Sequence, residues 1–114
     1  MLLVPDQDPH NPAAIHPGDP RGRMWSWTEA DWLSSSYLFL QGRRLWCSSL
    51  FARSPGNGAF RRLLNGAEAD GLEVVVPCPL LPMMAVLQHY GFVRTPAENE
   101  NEDWVDVWGR RKVQ

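Results

Sequence analysis

The sequence predicts an α/β (α+β) fold, a mixed central sheet flanked by helices. Three observations carry this. Residues 37–40 and 45–52 are strand-like runs joined by Gln41-Gly42-Arg43-Arg44, a hairpin with glycine in its turn. Residues 58–69 then carry a helical stripe, with Phe60, Leu63, Leu64 and Ala67 at i, i+3, i+4 and i+7. Residues 72–76 (Leu-Glu-Val-Val-Val) are almost continuously apolar, as in a strand covered on both faces. Strands alternating with helices at this spacing give a sheet with helices on its faces.

The elements follow in order. Residues 1–23 hold Pro5, Pro9, Pro12, Pro17 and Pro20, half of the ten prolines in the chain, and read as an extended, solvated arm. Residues 23–27 read as a short strand with Trp25 and Trp27 on one face. Residues 28–33 read as a short helix capped by Thr28, with Asp31 at the third position. After the hairpin, Arg61, Arg62, Asn65 and Glu68 form the outer side of the 58–69 helix, and Gly71 ends it. Pro77, Pro79 and Pro82 stop the next strand and lead into a second helix, with Pro82 in its first turn. Its stripe is Met83, Val86, Leu87 and Tyr90, and Gly91 is its stop. Residues 92–95 are a strand, 96–103 an acidic connection, and 104–108 a last alternating strand. Arg110-Arg111-Lys112 forms a short basic tail.

Length bounds the rest. The 114 residues make one domain, residues 24–114, behind the arm. A chain of this size buries roughly two-thirds of its unfolded surface, enough for a single core. Six tryptophans supply much of that core's bulk. A net charge of −2 gives no chain-wide attraction to nucleic acid or anionic membrane, so Arg43-Arg44, Arg61-Arg62 and the basic tail read as solvated faces. No apolar run approaches the roughly 20 residues that span a bilayer, and the chain reads as cytoplasmic. Cys47 and Cys78 read as two buried, reduced thiols, with a disulfide as the alternative if their strands are neighbours, and no Cys/His spacing resembles a zinc site.

The chemistry-bearing segment is Arg53-Ser54-Pro55-Gly56-Asn57-Gly58-Ala59, between a strand and a helix. A glycine turn there aims free backbone N–H groups and the positive end of the helix dipole at a phosphate. The arrangement resembles the GNAT superfamily of N-acetyltransferases, whose members carry Arg/Gln-x-x-Gly-x-Gly/Ala between the fourth strand and the next helix. Arg53, Gly56 and Gly58 match that pattern, and Gly91-Phe92 match a later Gly-Phe pair. The resemblance covers residues 43–109.

The resemblance implies parallel fourth and fifth strands, here residues 45–52 and 72–76. These splay into a V-shaped cleft for the pantetheine arm of acetyl-CoA. It implies that Arg53, Gly56, Asn57, Gly58 and Ala59 cradle the pyrophosphate, and that Leu50 and Phe51 offer backbone groups to the pantetheine. The implied activity is acyl transfer from a CoA thioester to an amine. The tyrosine that protonates the thiolate in many members falls on Leu87, which leaves Tyr90, three residues on, as the candidate acid. His89 reads as a surface residue, Cys78 as a small residue near the cleft, and Glu73 as too far from the thioester to be a base. Members usually place two further helices upstream, where this chain has only residues 1–44. The acceptor pocket is therefore abbreviated, or completed by the arm or by a second subunit. A catalytically inactive GNAT-like scaffold that binds a protein partner is the alternative function, favoured by Leu87 and the short N-terminus.

Overall fold

The structure, a computed structural model, describes residues 4–5, 7–98 and 104–110. Gly42, at φ 59°, supplies the left-handed turn that folds β1 (Tyr37–Gln41) back on β2 (Arg44–Ser49). From β2 the chain passes through the glycine loop into α1 (Ala59–Ala69), then into β3 (Glu73–Pro77), which lies parallel beside β2. α2 (Leu81–His89) follows, and β4 (Val93–Glu98) and β5 (Trp104–Arg110) pair antiparallel. β5 inserts between β3 and β4, so the five-stranded sheet runs β1-β2-β3-β5-β4. The Cα radius of gyration is 13.1 Å, close to the about 13 Å of a compact domain near this length.

Alternation along the strands sends side chains to two cores. On one face Leu38, Leu45, Cys47, Val74, Val76 and Trp108 pack with Leu63, Leu64 and Ala67 of α1 and Leu87 of α2. On the other, Phe39, Trp46, Val75, Ala97 and Val107 pack with Val4 and Ala14. The N-terminal segment is therefore not the solvated arm its prolines predict. They deny it regular structure, but Ile15 exchanges both backbone hydrogen bonds with Leu38 (2.7 and 3.0 Å) and covers the edge of β1. The Tyr37 hydroxyl donates to Gln7 O at 2.8 Å.

Other expectations need correction. Residues 23–27 are not a strand: Pro20–Trp25 is a 3-10 helix, opened by the Asp19 carboxylate accepting from Arg21 N–H and closed by Ser26 at φ 55°. Residues 28–33 make one turn, with Trp32 N–H on Thr28 O at 3.0 Å, and then join the sheet margin as Trp32 bridges Ala52. So short a segment does not repay helix nucleation. β4 continues past Thr95 through Pro96, which an edge strand tolerates. Residues 99–103 of the acidic connection and the tail beyond Arg110 fall outside the described residues. Cys47 is buried, whereas Cys78 is exposed.

Glu68, expected on the outer side of α1, is buried. It accepts two bonds from Arg110, Nη2 to Oε1 at 2.8 Å and Nε to Oε2 at 3.0 Å. Such a fork-to-fork pair is the geometry in which a buried carboxylate is tolerated.

Candidate functional site: a strand fork beside a glycine loop

β2 and β3 pair at Arg44↔Glu73, Leu45↔Val74 and Trp46↔Val75, and their ladder ends there. Beyond that point Val76 and Pro77 pair only with Trp108 and Val107 of β5. On the other side, the continuation of β2 turns to the 31–36 segment: Leu33 N–H donates to Phe51 O at 2.9 Å and Arg53 N–H to Asp31 O at 2.8 Å. The carboxyl ends of two parallel neighbours thus part company. Crevices outside the carboxyl ends of parallel strands are recurrent ligand sites.

The loop that leaves β2 stands at this open end. Gly56 and Gly58 adopt φ 88° and 85°, a region in which an L side chain is strained. Asn57 Oδ1 accepts from Ala59 N–H at 3.3 Å and steadies the entry to α1. Arg62 fastens the loop, donating to Asn57 O at 2.9 Å and to Asp31 Oδ1 at 2.8 Å. Arg53 is held by its own contact, Nε to Glu29 O at 2.8 Å. In the first turn, Phe60 and Arg61 N–H have no acceptor within the helix, as in any α-helix. Arg61 is exposed and, among the described residues, has no ion-pair partner. It lies in the first turn of α1, beside the loop, and is exposed as a solvated face requires.

Other candidates are placed as follows. Phe51 cannot offer free backbone groups in this arrangement, because Ser36 Oγ bonds its N–H (2.9 Å) and its carbonyl (3.3 Å), and Leu33 also donates to that carbonyl. Leu50 is half-buried against the helix-side core. Tyr90 ends α2 and packs edge-on against Phe60 of the first turn of α1, with ring centroids 5.6 Å apart. Its carbonyl accepts from Arg110 Nη1 at 2.9 Å. Leu87 is wholly buried. His89 is exposed, and its ring contacts Tyr90 at 5.2 Å. Glu73 sits at the closed end of the parallel pair, beside Arg44.

Cys78 sits at φ 44° just beyond β3, with its N–H on Asp106 O at 2.7 Å. Burial pushes the Cys47 thiol up to about 12, so it remains protonated at neutral pH and is no nucleophile. Among the described residues no group of His, Cys, Asp and Glu could hold a metal ion, and no helix is long and apolar enough to cross a membrane.

Three buried polar atoms have no partner among the described residues: Trp32 Nε1, Trp108 Nε1 and Ser48 Oγ. The sequence singles out none of them, since an indole or a hydroxyl inside an apolar strand reads as ordinary core or edge. No protein-family model, curated protein or solved structure gave a match to the chain.

Proposed function

We propose that the chain is a GNAT-like N-acyltransferase of the cytoplasm, taking an acyl group, acetyl in the first instance, from CoA to an amine. One observation carries this reading. A parallel strand pair opens after Trp46↔Val75, and the Arg53–Ala59 glycine loop and the start of α1 stand at the open end. This arrangement supports the cleft and cradle that the sequence resemblance implies. The donor fits the residues present. Positive φ at two glycines keeps side chains off the loop, and unbonded first-turn N–H groups suit a pyrophosphate. Arg61 adds a side-chain cation. In an extended chain successive residues turn their N–H and C=O to opposite edges. With those of Phe51 bonded to Ser36, Leu50 is the residue left to offer its backbone groups to the pantetheine.

In the reaction a neutral amine nitrogen bonds to the thioester carbonyl carbon, the C–S bond breaks, and the sulfur leaves with the electron pair. The nitrogen loses one proton and the thiolate gains one. Tyr90 is the side chain assigned to protonate it. A general acid contributes about 10²–10⁴-fold, so Tyr90→Phe, which keeps the edge contact with Phe60, should lower kcat by that factor.

Binding tests the reading first. CoA at about 100 times Kd should stabilise the fold by roughly 2.7 kcal/mol, a Tm rise on the order of 10 °C. Arg61→Gln should weaken that shift without unfolding the protein, and Gly56→Val or Gly58→Val should abolish it. A folded protein whose Tm ignores millimolar CoA is not an acyltransferase. Leu87, buried where many family members place their acid, favours a second reading: a scaffold that binds a protein partner and has lost catalysis. Tight CoA binding without transfer to any amine would select it.

A further inference from the structure

α2 is apolar on both sides. Its inner side carries Leu87, wholly buried, with Met83, Met84 and Tyr90 packed on the helix-side core. Its outer side carries Leu81, Pro82, Ala85 and Val86, all exposed. Leu81 is 79% exposed, and Leu80, just before the helix, 68%. A surface helix ordinarily turns charged or polar residues outward, and one that is apolar all round is covered all round. No described residue covers the outer side of α2, and an exposed apolar patch of this kind marks an interaction surface.

The chemistry of this face limits what can cover it. From Val74 to Gln88 the chain has no Asp, Glu, Lys or Arg, so the face has nothing with which to pair a charged peptide or a nucleic acid. A lipid surface suits a helix whose polar side carries Lys or Arg, and α2 has neither. An extended peptide adds to a free strand edge. The edge that follows α2 is β4, and Pro96 within it has no N–H to give. An uncharged helical face remains as the complement, and α2 is itself such a face. About a two-fold axis each residue lies near its own counterpart, so any charge there meets a like charge. A face without charge is what self-pairing needs.

We propose that two copies of this chain pair through the outer faces of α2, antiparallel about a two-fold axis at Ala85. Ala85 is the middle residue of the nine in α2. Its methyl group lets the two helices close to about 8–10 Å, the separation of packed helices. Leu81 and Val86 flank it and fill the seam. The pairing is independent of the acyltransferase reading and stands or falls by itself. A helix of nine residues is only about 14 Å long. Its contact therefore stays below the about 1,200 Å² of a stable interface, and the dimer is weak, with a Kd on the order of 100 µM.

Sedimentation equilibrium of the full chain tests this. Between about 10 µM and about 1 mM the mass should rise from 13.0 kDa towards twice that value. Ala85→Glu and Ala85→Lys each set two like charges at the axis, and each should remain monomeric over the same range. Because Ala85 is exposed, both variants should keep the wild-type Tm in dilute solution. An equimolar mixture of the two brings opposite charges together and should dimerise at least as tightly as wild type. A variant that merely misfolds cannot show this rescue. If wild type stays at 13.0 kDa throughout, or binds phosphatidylcholine vesicles as a monomer, the face belongs to another occupant and the inference is wrong. It is equally wrong if both variants dimerise as wild type does, since the interface then lies elsewhere. Monomeric variants whose mixture fails to pair would also overturn it, because two copies would not meet at Ala85.

Discussion

Cys47 and Cys78 lie on strands or strand ends that neighbour each other, yet their environments are opposite. Cys47 is enclosed on the helix-facing side of β2, and burial alone holds its thiol near 12 against 9.0 for an unhindered one. Cys78 is exposed beyond the end of β3. A thiol reagent such as an aromatic disulfide should therefore modify one cysteine in the native protein and the second only on unfolding. The same burial makes stability depend on alkaline pH. The folded state binds the Cys47 proton more tightly than the unfolded state does. Its contribution is thus complete below about pH 9 and is lost between 9 and about 12. Over that window the Cys47 share of the loss is about 1.4 kcal/mol per pH unit. Urea midpoints from pH 8 to pH 11 should fall more steeply for wild type than for Cys47→Ala, although the variant starts lower. Parallel slopes would show that Cys47 is hydrated in the folded protein.

At the level of elements, α1 shows how far a pattern carries and where it stops. Its stripe of Leu63, Leu64 and Ala67 is buried as the 3.6-residue period predicts, and β2 and β3 are parallel neighbours, as their apolar runs and short turns imply. Period and turn chemistry are local, so these were legible. Gly66 was not. It sits mid-helix, where glycine is disfavoured, because a Cβ there would come within 2.8 Å of Met24 O and Trp25 Cα. The 3-10 helix thus crosses α1 backbone to backbone, a long-range constraint that no helical pattern contains. Gly66→Ala should destabilise the fold by roughly 1–3 kcal/mol despite alanine's better propensity, measured by urea unfolding. A gain in stability would mean that Pro20–Trp25 moves aside freely. The candidate site divides in the same way. The loop glycines were readable because φ near +85° demands them. The capture of the Phe51 backbone by Ser36 was not, since it depends on how separate segments align.

Across the whole molecule one side chain ties together β5 and the two helices. Arg110, on β5, donates twice to Glu68 on α1 and once to the Tyr90 carbonyl at the end of α2. The Glu68 side chain is only 6% exposed and that of Arg110 28%, so the pair is shielded from solvent screening far more than the outer pairs. Removing one partner of such a pair leaves a carboxylate with no cation in a poorly hydrated place. Arg110→Met should cost about 3–5 kcal/mol, a large part of the 5–15 kcal/mol typical of a domain. The companion change isolates the cause. Glu68→Leu added to Arg110→Met removes the stranded charge, and replacing both members of a buried pair by apolar groups is often neutral or better. The double variant should therefore regain most of the loss in urea unfolding. If it remains as unstable as Arg110→Met, the damage lies in the lost bond to Tyr90 and in the lost packing of α2. The Arg110–Glu68 pair would then be a consequence of how α1, α2 and β5 meet, and not what holds them together.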